Sequence, residues 1–133
     1  MRLTTWRNGA ALLGAVALCL GHVPPLGAME ILGQAGVLGE WELTGHLTES
    51  APGTLRQFSG PLKMKHVGIC TLDGPEVRAG EIRLQITGAD SQVTAELVLD
   101  GAPCTYSARK THNYEGTLSC EGRAPVPLLV WLK

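Results

Sequence analysis

Cysteine, histidine and methionine are the residue types here whose chemistry goes beyond packing and charge, and three of them fall together in Met64-Lys65-His66-Val67-Gly68-Ile69-Cys70. A thioether, an imidazole and a thiolate make a donor set suited to copper(I), which prefers soft ligands. On an uninterrupted strand Met64, His66, Gly68 and Cys70 point the same way. His66 and Cys70 then stand roughly 13 Å apart, too far to share one ion. Only a tight turn or bulge at Gly68 brings them together, and Val67 and Ile69 hint that the inward face switches there. The plainer reading makes His66 a core histidine, neutral and hydrogen-bonded, on one face with Leu62 and Met64.

The remaining cysteines carry a sharper local signal. Cys19 belongs to an N-terminal export segment, which leaves Cys70, Cys104 and Cys120 in the mature chain. Folding the stretch from Cys104 to Cys120 as a hairpin sets Cys104 opposite Cys120, Tyr106 opposite Leu118 and Ala108 opposite Gly116, all on one face. A directly opposed pair is within disulfide reach, so Cys104–Cys120 is the expected bridge in an oxidising compartment. Cys70 is then the odd cysteine: a buried small hydrophobe, a reactive thiol, an intermolecular bridge or a metal ligand.

Catalytic arrangements are poorly supported. None of Ser59, Ser91, Ser107 or Ser119 lies in a Gly-x-Ser-x-Gly elbow, and His46 and His112 lie on polar stretches. A Cys70–His66 thiol–imidazole pair meets the same distance objection as the metal site. The sequence holds no phosphate loop, Cys-x-x-Cys or His-Glu-x-x-His motif. The expectation is a protein that is not an enzyme. The polar connection between the two cysteines offers a contact site instead: Tyr114 flanked by Lys110, His112 and Asn113, since loops on rigid hairpins carry recognition and tyrosine is enriched in contacts.

The elements that must position these residues begin after residue 28. Arg2 and Arg7 precede an uncharged apolar run from Gly9 to Leu20, followed by Pro24, Pro25 and a Leu26-Gly27-Ala28 end. This order fits a cleaved signal peptide, residues 1–28, and the run falls short of the ~20 residues needed to span a bilayer. A lipid-anchored alternative through Cys19 is disfavoured by Leu18, which is not small. Without Arg2 and Arg7 the balance is nine Lys+Arg against twelve Asp+Glu, a net charge of −3. That aids solubility and gives no footprint for nucleic acid, which shows as a strongly basic domain. The remaining chain is small enough to benefit from a covalent staple.

Residues 29–38, with two glycines, read as a flexible lead-in, and residues 39–133 as an all-β domain. Period-two alternation runs through Trp41-Leu43-Leu47, Leu62-Met64-His66, Ile82-Leu84-Ile86 and Val93-Ala95-Leu97-Leu99, with Val98 as an exception. Turn signals recur roughly every ten residues, among them Ser59-Gly60-Pro61, Asp73-Gly74-Pro75 and Asp100-Gly101. About seven or eight short strands in a small antiparallel barrel or sandwich are expected. Pro125 and Pro127 make the final run, Val126 to Leu132, an edge or closing strand. Gly39-Glu40-Trp41 resembles the Gly-x-Trp start of lipocalin- and avidin-type barrels, a likeness of three residues that transfers no binding residue.

These observations converge on an exported, periplasmic or secreted, non-enzymatic binding module without a membrane span after cleavage. Its partner is a small apolar ligand or another envelope protein, for instance a target that it inhibits. The alternative is a periplasmic copper protein using Met64, His66 and Cys70.

Overall fold

The computed structural model of the chain describes residues 27–51, 55–68 and 72–133. The expected signal peptide, apart from Gly27 and Ala28, lies outside the described residues, and so does Cys70. Eight strands follow one another: β1 (Ala28–Ala35), β2 (Trp41–Ala51), β3 (Arg56–His66), β4 (Val77–Thr87), β5 (Gln92–Leu99), β6 (Ala102–Lys110), β7 (Tyr114–Cys120) and β8 (Val126–Leu132). Each pairs antiparallel with the next, and β8 returns to β1, so the sheet closes into a barrel without free edges.

Alternation decides which side chains fill the lumen. On β5, Val93, Ala95, Leu97 and Leu99 are buried while Gln92, Thr94, Glu96 and Val98 face outward. The same rule sends Leu43 and Leu47 inward from β2, Phe58, Leu62 and Met64 from β3, and Ile82, Leu84 and Ile86 from β4. An eight-stranded barrel is just wide enough for its own side chains to fill it. Among the described residues no charged or polar residue is buried with them. The outer wall carries Lys63, Lys65, Glu81, Glu96 and Thr105, the reverse of a membrane barrel, whose outer band is apolar.

Two connections show how local chemistry sets the path. Asp100 and Gly101 both have positive φ, 47° and 79°, the left-handed pair of a two-residue hairpin turn whose twist matches its strands. Gly116 lies on the inward row of β7, where a Cβ would collide with the Ser107 carbonyl of β6; only glycine lets the two backbones approach this closely.

One expectation is corrected. Residues 29–38 do not form a loose lead-in: Ala28–Ala35 is β1, paired with β2 through Ile31↔Gly45 and with β8 through Ile31↔Leu132. Its inward row is Met29, Ile31, Gly33 and Ala35, whose small members mask the apolar period. Gly33 is required because a Cβ there would approach the Leu129 carbonyl to 2.9 Å. Val126–Leu132 is the closing strand that its prolines imply, with Pro127 opposite Thr117.

Candidate functional site

The two ends of the barrel differ in character. The Trp41 end collects the β1–β2, β3–β4, β5–β6 and β7–β8 connections; the opposite end, where Glu30 and Lys133 exchange backbone hydrogen bonds of 2.9 Å, collects the others.

At the Lys133 end, Lys110, His112, Asn113 and Tyr114 line a shared depression of about 380 Å³ together with Arg56 and Asp90. Lys110 and His112 are exposed and Asn113 is half-buried. Tyr114, however, is not a presented side chain. It begins β7 facing inward, is only 6% exposed, and its hydroxyl donates to the Asp90 carbonyl at 2.8 Å. Removal from water raises its phenol pKa, the Asp90 carboxylate adds to the rise, and Arg56 opposes it. The Lys110 ammonium stands 5.9 Å from its ring centroid. Sequence reading placed Tyr114 in the loop; the β6–β7 register, with Lys110↔Tyr114 as its last pair, makes it part of the wall.

Beside it, Tyr106 of β6 reaches past β7 to β8. Its hydroxyl lies 3.1 Å from the Tyr114 carbonyl and 3.2 Å from that of Leu128, and shares its one proton between them. Burial pushes its phenol far above the ordinary range. The group is a structural tie between β6, β7 and β8, with nothing reactive about it.

Cys104 and Cys120 stand opposite each other in the expected register and are disulfide-bonded, with Cα atoms 4.0 Å apart. The bridge lies near the Trp41 end, where Cys120 helps to line a cavity.

That end also holds two of the three residues of the soft-metal motif. Met64 faces inward and is buried; His66, two positions on, is half-buried on the same inward row. His66 contacts Trp41 edge to face, with ring centroids 4.6 Å apart and planes at 87°. The Arg78 guanidinium lies 4.8 Å from the Trp41 ring centroid and donates two bonds to Glu76 Oε1, at 3.0 and 3.1 Å. Cys70 falls outside the described residues. Among the described residues no three His, Cys, Asp or Glu side chains are grouped to hold a metal ion.

Sequence reasoning missed the most distinctive property of this end. Among the described residues seven large apolar side chains stand exposed, and only Leu55 lies at the far end. Val37 and Leu38 occupy the β1–β2 connection, Val67 and Leu72 the β3–β4 connection, Val77 opens β4, and Val98 lies next to the last residue of β5. Leu38 is 91% and Leu72 107% exposed. The available signal was the breakdown of alternation at Val37-Leu38, Leu72 and Val98, none of which the core can absorb. Inside this apolar rim lies a cavity of about 120 Å³ with a floor of Ala35, Met64, Leu99, Leu118 and Val126.

No family model, no curated protein and no solved structure matches this chain. The Gly39-Glu40-Trp41 likeness does not extend to position in the barrel either: Trp41 opens the second strand, with β1 before it.

Proposed function

We propose that the protein is an exported, non-enzymatic binding module that holds a partner protein against the Trp41 end of its barrel. The observation that carries this reading is the gathering of six exposed apolar side chains around one end. Such side chains are ordinary when scattered, and mark an interaction surface when they gather. Half-buried Trp41, with Arg78 stacked on it, supplies the aromatic and arginine pair that typically dominates binding energy. A small apolar ligand is the weaker partner, because side chains fill the lumen and leave it only the mouth cavity.

Export, to the periplasm or beyond the cell, rests on the apolar N-terminal segment and is supported by the Cys104–Cys120 disulfide. Cleavage after Ala28 removes one residue of β1 and keeps its pairing from Met29 onward. Sequencing of the exported form is expected to start at Met29, and a retained leader would make the protein membrane-anchored.

The binding reading is tested by chemical cross-linking in the exported compartment, comparing wild type with Leu38→Asp and with Lys110→Ala. The expected result is a specific cross-linked partner that Leu38→Asp loses and Lys110→Ala keeps. Loss in Lys110→Ala alone would move the site to the Lys133 end, and equal capture by all three would sink the reading.

Copper(I) binding remains a second reading on one observation, the shared inward row of Met64 and His66 beside Trp41. The guanidinium of Arg78 already occupies the cation position on that indole, which weighs against a second positive charge there.

A further inference from the structure

The cavity inside the apolar rim has a shape and a charge pattern that define its occupant more closely. Resting on the reading of the Trp41 end as a protein-binding surface, we infer that this cavity takes the C-terminal residue of the partner polypeptide. A Val, Leu or Ile side chain fills it, and the free carboxylate meets Arg123.

Size sets the first limit. At about 120 Å³ the cavity is smaller than the ~150 Å³ apolar cavity that accepts benzene. A branched aliphatic side chain of roughly three or four carbons suits it, and a large aromatic does not.

Charge sets the second. Two guanidiniums, Arg78 and Arg123, line the cavity against one carboxylate, Glu40. Arg78 is engaged by Glu76 at 3.0 Å and by Trp41. The Glu40 carboxylate accepts the Leu38 backbone N–H at 3.0 Å and closes the β1–β2 turn. Arg123 is exposed and, among the described residues, forms no ion pair. Among the described residues Arg123 is thus the lining guanidinium without an ion-pair partner, and a planar guanidinium recognises a carboxylate well.

The rim sets the third. A free short-chain acid would fill the cavity and leave Val37, Leu38 and Leu72 bare in water. A polypeptide that ends in the cavity crosses those loops on its way in and covers them. Capture of a terminal carboxylate beside a pocket for the last side chain is an established way of reading a peptide end.

The test uses the oxidised exported protein and the tripeptide acetyl-Gly-Gly-Leu, as the free acid and as the C-terminal amide. Binding is read from NMR shifts of the backbone amides. The free acid is expected to shift Ala35, Leu99 and Val126 saturably, with the amide about tenfold weaker for the lost charge-assisted bond. Arg123→Gln, an exposed turn substitution, is expected to erase the difference between acid and amide. Ala124→Trp, at an exposed position of the lining, is expected to block both. Equal binding of acid and amide, or shifts confined to other surfaces, would overturn the inference. So would 4-methylpentanoate binding as tightly as the peptide, since a free acid would then be the ligand. A protein that cross-links its partner through Leu38 yet ignores every free acid leaves the proposed function standing and removes this inference alone.

Discussion

Trp41 and His66 are direct partners across β2 and β3, and the imidazole meets the indole edge to face at 4.6 Å. The contact replaces the buried, hydrogen-bonded histidine expected from the sequence with a half-buried one that works by packing. Such ring pairs contribute about 0.5–1.5 kcal/mol beyond area burial. His66→Ala is expected to lower stability by about 1 kcal/mol in urea unfolding, with the copper content of dialysed protein unchanged. Stoichiometric copper in wild type that disappears in both His66→Ala and Cys70→Ser would instead establish the metal reading.

Removing the disulfide is expected to cost more. Cys104 and Cys120 are separated by 16 positions, and closing a loop of that size contributes about 3 kcal/mol in the chain-entropy picture. Peptide mapping without reduction is expected to recover a Cys104–Cys120 peptide. The Cys104→Ala/Cys120→Ala double variant is expected to unfold at lower urea concentration, and dithiothreitol to bring wild type down to the same midpoint.

Tyr106 gives a pH dependence with a defined sign. Its folded-state pKa is raised by burial, so on alkaline titration the unfolded chain releases its phenol proton first, near pH 10. The contribution is whole below about pH 10 and is lost as pH climbs toward the higher folded value. Tyr114 shifts in the same direction. Tyr106→Phe is expected to cost about 1–2 kcal/mol at neutral pH, for the lost bonds to Tyr114 and Leu128. It is also expected to flatten the alkaline limb of the stability curve; an unchanged limb would show that Tyr106 does not carry it.

Gly116→Ala tests the close approach of β6 and β7. A Cβ there would meet both the Ser107 carbonyl and Ala108, so the strands must part, at a cost of about 1–3 kcal/mol. Alanine at Gly101 faces open space but keeps φ at 79° and is expected to cost about 1 kcal/mol from backbone strain alone. Thermal unfolding that ranks Gly101→Ala as the worse of the two would contradict the packing account.

The legible part of this fold is the part written in alternation and opposition. Val93 to Leu99 announces a strand without help, and Cys104 opposite Cys120 fixes a register from spacing alone. β1 was illegible because its inward row contains Gly33 and Ala35, chosen for closeness to β2 and β8, so the contact that explains them is distant in sequence. Tyr114 misled for a related reason: whether a tyrosine ends a loop or begins a wall depends on one residue of strand length. At the candidate site, Met64, His66 and Trp41 were each noticed, but their meeting depends on the β2–β3 pairing. The apolar rim is assembled from separate connections and strand ends that the antiparallel order brings to one end and closure sets around one mouth.

Closure itself has a kinetic meaning. Seven of the eight strand pairings join consecutive strands, whereas the eighth joins Ile31 to Leu132 across nearly the whole domain. Hairpins can form early from nearby partners, but this seam waits until the chain has travelled around the lumen. The covalent bridge lies between β6 and β7 and does not cross it. From inside, the last strand is held by buried Leu128 and Val130 and by the Tyr106 hydroxyl on the Leu128 carbonyl, a neutral bond that a denaturant can compete for. The β1–β8 seam is therefore expected to form last, and amide hydrogen exchange is expected to be faster along it than in the stapled β6–β7 hairpin.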